Sequence, residues 1–205
     1  MIVQNEEETI VRCLNHLLES ELIKEICIVD GGSEDQTLPI ISEVRASADP
    51  SVDWKVIVFP FDKNFGAQKT RALKLATKDW VLWIDADEIY DPDIFQALER
   101  LALLFDADGS EAFCFNRKTR IDGWLHNIID PDYQIRFWKR EGVTFVGRIH
   151  ESPTGFRKLI KTNLTIQHNK TFAQQEADNE NYWNNFGQIP PPDTELVDGK
   201  WKRKK

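Results

Sequence analysis

Apolar and polar positions along the first half of the chain alternate between two periods. Ile10, Val11, Leu14, Leu17 and Leu18 recur at helical spacing. Asn5 followed by Glu8 predicts a capping-box-like start for that helix. Residues 25–30, Glu-Ile-Cys-Ile-Val-Asp, are a short apolar run closed by Gly31-Gly32-Ser33, which predicts a buried strand ending in a turn. Ser33 or Asp35 can cap the next helix, with Pro39 in its first turn, where proline is tolerated. A third unit follows, with a strand over 54–59, a loop over 60–65 and a helix over 66–77. A fourth opens with the strand 80–84 and ends in Asp85-Ala86-Asp87-Glu88. Asp91 then caps a helix with Pro92 at its first position and a stripe of Ile94, Phe95, Leu98, Leu101, Ala102 and Phe105.

The second half changes character. Strands are expected over 111–117, 134–140, 143–146 and 158–168, with an irregular stretch over 118–131. In the last strand Ile160, Thr162, Leu164, Ile166 and His168 share one face. Beyond Asn169 the chain is polar and poor in aliphatics, so 170–205 reads as an appendage or partly ordered tail. The first strand is a stub, because only Met1, Ile2 and Val3 precede Gln4-Asn5-Glu6.

Strands that alternate with helices imply an α/β fold with a parallel sheet covered on both faces. Ligands then bind at the C-terminal ends of the strands. Asp30 and the Asp85–Glu88 acids stand at two such ends.

Composition narrows the class. The 205 residues are 41% hydrophobic and 29% charged, a globular profile. The net charge of −8 argues against nucleic acid as a partner. No apolar run is long enough to cross a bilayer, and the N-terminus lacks the pattern of a signal peptide. Cys13, Cys27 and Cys114 are widely spaced in apolar surroundings, which suits small core residues of a reduced, cytoplasmic protein. The basic end, Lys200-Trp201-Lys202-Arg203-Lys204-Lys205, suits either a solvated terminus or peripheral docking on the anionic inner face of a membrane.

Asp-x-Asp occurs four times, at 85/87, 91/93, 106/108 and 130/132. Helix capping explains the second copy and a loop before Gly109 explains the third. The first follows directly on a buried strand, with Glu88 as a third acid. Three carboxylates there repel one another unless something positive lies among them. A divalent cation with a phosphate-bearing ligand answers that need, and oxygen ligands suit Mg2+ or Mn2+. A solvated loop of helix-capping acids is the plainer alternative.

Four segments in order, Asn5-Glu6-Glu7, residues 28–37, Asn64-Phe65-Gly66-Ala67-Gln68-Lys69 and residues 78–88, resemble a family-2 glycosyltransferase of the GT-A fold. The likeness covers about residues 1–168 and is nearest to the bacterial branch of lipopolysaccharide-core glucosyltransferases. It implies a Rossmann-like, mostly parallel sheet flanked by helices, with a small antiparallel acceptor-side portion. The transferase domain would span 1–169, as a nucleotide-sugar half over 1–110 and an acceptor half over 111–169. It also implies inverting transfer from a nucleotide diphosphate sugar, a UDP-sugar in the first instance, to a hydroxyl of a glycan or lipid-linked acceptor.

The resemblance assigns residues as well. Glu6, Asp30, Lys69, Asp85 and Ala86 would contact the nucleotide, and Asp87 with His150 would hold Mn2+ or Mg2+. His168 is a second candidate for the imidazole ligand. Asp132, Asp130 and Glu151, in that order, are candidates for the general base. Trp124 and His126 are candidates for touching the acceptor, since a flat aromatic suits the apolar face of a sugar, with a loop anchor as the alternative role of Trp124. Two rival readings are a sugar nucleotidyltransferase, which would open on a glycine-rich basic loop, and a non-catalytic nucleotide-sugar-binding module.

Overall fold

The computed structural model describes residues 1–91, 93–104, 111–126, 130–188, 194–197 and 200–203. The chain forms β1 (Ile2–Val3), α1 (Ile10–Leu18), β2 (Glu25–Asp30), α2 (Thr37–Ser47), β3 (Asp53–Val58), α3 (Phe65–Leu75), β4 (Trp80–Leu82), β5 (Glu88–Tyr90) and α4 (Ile94–Leu104). The second half adds β6 (Glu111–Ile121), β7 (Trp124–Leu125), β8 (Asp132–Lys139), β9 (Thr144–Val146), β10 (Ser152–Thr154), β11 (Lys158–Lys170), α5 (Phe172–Phe186), β12 (Thr194–Val197) and β13 (Lys200–Arg203).

The fold is α/β, as the alternating pattern implies. β1, β2 and β3 form a parallel three-stranded sheet. A larger mixed sheet runs β4-β8-β6-β11-β5, and β7 pairs with β6. Within it only β6 and β11 are parallel, so the antiparallel share exceeds the small portion expected.

Two apolar layers lie on the sheet faces. One gathers Ile10, Cys13, Leu14 and Leu17 of α1 with Ile41 and Val44 of α2, Ile94 and Leu98 of α4, and Ile26 and Ile28 of β2. The other gathers Ala72 and Leu73 of α3 with Val29, Trp83, Trp138 and Phe145. Ile28 and Val29 therefore face opposite layers, as successive strand residues must. Each such Leu or Ile stabilises the fold by about 1.5–3 kcal/mol of apolar transfer.

Several local expectations shift. α1 begins at Ile10, after Thr9, and no side chain caps it. Asn5 instead has φ of 55° and ties two loops together. Its N–H donates to Ser33 Oγ at 2.9 Å, and its Oδ1 accepts from Glu34 N–H at 2.9 Å. Residues 118–125 are not irregular: β6 turns into β7 through Asp122 and Gly123, both at positive φ. Residues 172–186 form α5, opened by a complete capping box of Thr171 and Gln174. Lys200–Arg203 is a strand paired antiparallel with β12. Pro92, Phe105, the Asp106/Asp108 copy, prolines 190–192 and Lys204-Lys205 lie outside the described residues. No described helix is long and apolar enough to cross a membrane.

Candidate active site

The site is built on the C-terminal ends of β1, β2 and β4. The loops after β1 and β2 are zipped together by side chains. Glu6 N–H donates to Thr37 Oγ1 at 2.7 Å, Glu7 N–H to Asp35 Oδ2 at 3.1 Å, and Gln36 N–H to Glu7 Oε2 at 2.9 Å. Asp30 is fully buried. Its Oδ1 accepts from Gly32 and Ser33 N–H at 2.8 and 2.9 Å, and its Oδ2 from Ser33 Oγ at 2.5 Å. Asp30 therefore shapes the turn that follows β2. Glu6 lies partly buried, and that burial, offset in part by a hydrogen bond from Thr9, pushes its carboxyl up to about 7.

β4 delivers the acidic turn. Glu88 N–H donates to the Asp85 carbonyl at 3.1 Å, and Asp85 N–H returns to Glu88 Oε2 at 3.1 Å, which tightens Asp85–Glu88 around the buried Ala86. Every acid in the turn meets at least one cation, and Asp85 and Glu88 share Arg136. Asp85 Oδ1 takes Lys69 at 3.3 Å and the Trp83 indole N–H at 3.0 Å, while its Oδ2 takes Arg136 at 3.0 Å. Burial opposes ionisation of Asp85, but Lys69 and Arg136 hold its carboxyl well below the usual range. Glu88, only 1% exposed, bonds Arg136 at 2.5 Å. Burial nonetheless pushes its carboxyl upward, and the nearby Asp85 and Asp87 add to the push. Asp87 Oδ2 meets His168 Nε2 at 2.9 Å and Lys170 Nζ at 3.1 Å. Burial again opposes ionisation, and His168 and Lys170 outweigh it, so Asp87 stays ionised far into acid.

α3 carries Lys69 into this turn. Asn64 caps the helix, its Oδ1 accepting from Ala67 N–H at 2.9 Å. Gly66 permits a close crossing, since a Cβ there would sit 2.3 Å from the Gly147 carbonyl oxygen. Lys69 bridges Asp85 to Glu151, whose Oε1 lies 2.7 Å from the ammonium. Those two carboxylates raise the lysine pKa despite its burial.

The acceptor-side candidates separate. Asp132, at the start of β8, accepts both Nε and Nη2 of Arg117 at 3.0 Å, and Arg117 Nη1 approaches Glu88 at 4.0 Å. Asp132 is thereby linked to the acidic turn. Asp130 is exposed and pairs instead with Lys118 at 2.5 Å, and that lysine lowers its pKa. Trp124, 82% exposed, and His126 lie on or next to the β6–β7 hairpin. His150 has φ of 53°, stacks on Tyr182 with ring centroids 6.2 Å apart, and meets Gln188 at 3.0 Å. The imidazole beside Asp87 is that of His168. The β11–β5 register sets it opposite Glu88, and its Nδ1 bonds Thr119 Oγ1 at 3.0 Å.

Residue types alone did not single out Arg117 or Lys170, each of which partners an acid well separated in sequence. α5 is a further addition. Tyr182 and Phe186 pack on Phe65, Gln174 donates to Glu8 at 3.1 Å, and Lys63 donates to Asn185 at 2.9 Å. The helix thus runs along the rim that also carries the loop after β1.

In open α/β folds ligands bind outside the C-terminal ends of strands, and here the acids that close β2 and follow β4 stand at such ends, with Lys69 of α3 and Lys170 of β11 beside the second. Residues 1–181 match glycosyl transferase family 2, and the chain belongs to that family. Among curated relatives it is 24% identical over 176 residues to the SPbeta prophage-derived glycosyltransferase SunS of Bacillus subtilis, covering 82% of this chain and 38% of that protein. It is 30% identical over 136 residues to chondroitin synthase of Escherichia coli, covering 66% of this chain and 19% of that protein. The chain thus spans well under half the length of these relatives. Among solved structures, S. aureus TarS 1–349 in complex with UDP superposes with a TM-score of 0.60 at 16% identity, over 87% of this chain and 62% of that one. Glucosyl-3-phosphoglycerate synthase from Mycobacterium tuberculosis, in complex with Mn2+ and UDP-glucose, superposes with a TM-score of 0.54 at 16% identity, over 99% and 84%.

Proposed function

We propose that this chain is a metal-dependent, inverting glycosyltransferase that moves a sugar from a UDP-sugar to a hydroxyl of a glycan or lipid-linked acceptor. The observation that carries the reading is the Asp85–Glu88 turn at the end of β4, with Lys69 and Arg136 on one acid and His168 and Lys170 on the other, in a family-2 chain. The complexes of the two superposed structures with UDP, and with Mn2+ and UDP-glucose, support the donor class.

The residues present fit a divalent ion. Asp87 offers a carboxylate and His168 an imidazole whose other nitrogen is already bonded to Thr119. Among the described residues no group of three or more His, Cys, Asp or Glu side chains is placed to hold a metal ion by itself. An open pair of this kind suits Mg2+ or Mn2+, which complete their shells with phosphate oxygens and water. The proximity to Asp87 favours His168 over His150 as the imidazole ligand. When bound there, the ion would supply charge neutralisation to the diphosphate.

The chain's own residues do the rest. Lys69, held between Asp85 and Glu151, balances charge on the departing nucleoside diphosphate. Asp132 takes the proton of the acceptor hydroxyl as its oxygen bonds the anomeric carbon and the bond to the diphosphate breaks. The link from Asp132 through Arg117 to the acidic turn supports it over the exposed, Lys118-paired Asp130. Glu151, paired with Lys69, is better suited to fixing that lysine. The exposed Trp124 and nearby His126 form the acceptor-side platform.

The test is a donor panel: incubation with manganese and individual nucleotide sugars, reading released nucleoside diphosphate. UDP release from one or more UDP-sugars is expected. Intact UDP binding with no release from any donor, with and without a glycan acceptor, would instead favour a non-catalytic binding module.

A further inference from the structure

Lys170 closes β11, and its ammonium serves two carboxylates at once. It lies 3.1 Å from Asp87 Oδ2 and 2.5 Å from Asp178 Oδ2 on α5. The Asp87 oxygen is the same one that His168 Nε2 approaches at 2.9 Å. A lysine cation therefore holds the anionic point where the carboxylate–imidazole pair would hold a divalent ion. Its backbone is anchored, because the Lys170 carbonyl accepts Asp122 N–H at 3.0 Å, but the side chain has two partners to choose between. One belongs to the acidic turn and the other to the rim helix.

We propose that Lys170 is a positioning residue that makes divalent-metal binding depend on the nucleotide diphosphate, an inference that rests on the donor-site reading above. Without nucleotide, Lys170 competes with the metal for Asp87. A diphosphate beside Asp87 offers the ammonium new anionic oxygens, and Asp178 holds the ammonium within reach while Asp87 is released. The nucleotide then favours the metal, and by linkage the metal favours the nucleotide to the same degree. The arrangement keeps a free divalent ion from occupying the turn without the leaving group it serves.

The experiment compares wild type, Lys170→Met, Lys170→Arg and Asp178→Asn, each checked for native circular dichroism. Mn2+ binding is read from the free-ion paramagnetic resonance signal, alone and with saturating UDP. Removing a positive charge a few ångströms from the ion should tighten Mn2+ binding in Lys170→Met on the order of tenfold in the absence of UDP. The factor by which UDP tightens Mn2+ binding should shrink by a similar amount. Lys170→Arg should keep the wild-type pattern. Asp178→Asn leaves the ammonium on Asp87 and should weaken Mn2+ binding alone. A merely structural role for Lys170 would not give shifts of opposite sign at the two positions. Equal or weaker Mn2+ binding in Lys170→Met would overturn the proposal, as would an unchanged UDP factor. Absence of UDP binding in wild type with Mn2+ present is a different result, which would overturn the donor reading beneath it.

Discussion

Arg136 is the residue on which the acidic turn depends most. Its guanidinium is buried between Asp85 and Glu88, at 3.0 and 2.5 Å, and its Nε finds no acceptor among the described residues. Arg136→Met keeps much of the volume and removes the charge. Glu88, 1% exposed, then faces Asp85 and Asp87 with Arg117 at 4.0 Å as its nearest remaining cation. Removing one member of a buried ion pair costs about 3–5 kcal/mol, because the surviving charge has lost both water and partner. With a urea m-value of about 2–3 kcal/mol/M for a domain of this size, that loss lowers the midpoint by roughly 1–2.5 M. The assay is equilibrium urea unfolding at pH 7, followed by tryptophan fluorescence and circular dichroism. Glu88→Gln combined with Arg136→Met should recover part of the loss, since it removes the stranded charge as well. A loss below about 1 kcal/mol in the single variant would refute the reasoning. It would mean that water reaches Glu88, and that the turn is held by its backbone.

Three further outcomes follow from the geometry. Asp132→Asn should lower sugar transfer by about 10²–10⁴-fold with UDP affinity near wild type, whereas Asp130→Asn should transfer normally; the reverse pattern in initial-rate assays would exchange their roles. Gly66→Ala should cost about 1–3 kcal/mol in thermal or urea unfolding, because its Cβ would meet a backbone oxygen that cannot rotate away; an unchanged midpoint would show that the 147–148 loop yields. Glu6 has its carboxyl raised to about 7, so the folded state prefers it protonated and its ionisation removes stability as pH rises from about 4.5 through 7. Glu6→Gln should therefore be the more stable protein at pH 8 and equal to wild type near pH 4, and equal stability at pH 8 would show that Glu6 is solvated.

The parallel half of the fold was legible because its signals are local. Helical stripes, apolar runs and a glycine turn at the end of β2 each lie within a dozen residues of one another. Two local signals were nonetheless present and outweighed. Asp122-Gly123 is a two-residue hairpin turn of the kind that positive φ at both positions demands, yet the polar stretch around it reads as a loop. Thr171 and Gln174 form a capping box, but α5 carries few aliphatic residues, so hydrophobic periodicity does not announce it. β5 escaped because Glu88-Ile89-Tyr90 follows directly on an acidic turn.

The candidate site was half legible. The acids stand at strand ends, and Lys69 in the first turns of a helix, that the pattern itself locates. Their partners do not. Arg136 meets Asp85 across 51 residues, and His168 meets Asp87 across 81. The His150-Glu151 pair looks like one unit in sequence, yet Glu151 turns to Lys69 while His150 turns to Tyr182. Only the β11–β5 register decides which imidazole reaches the turn, and a register is a property of two distant strands.

The central claim is that the Asp85–Glu88 turn binds a nucleoside diphosphate through a divalent ion. Calorimetry with UDP, in manganese and again in excess chelator, tests it directly, with Asp87→Ala as the matched control. Saturable binding in manganese, strong weakening in chelator, and loss of the metal-dependent part in folded Asp87→Ala are expected. Equal affinity with and without metal, or wild-type binding by Asp87→Ala, would contradict it.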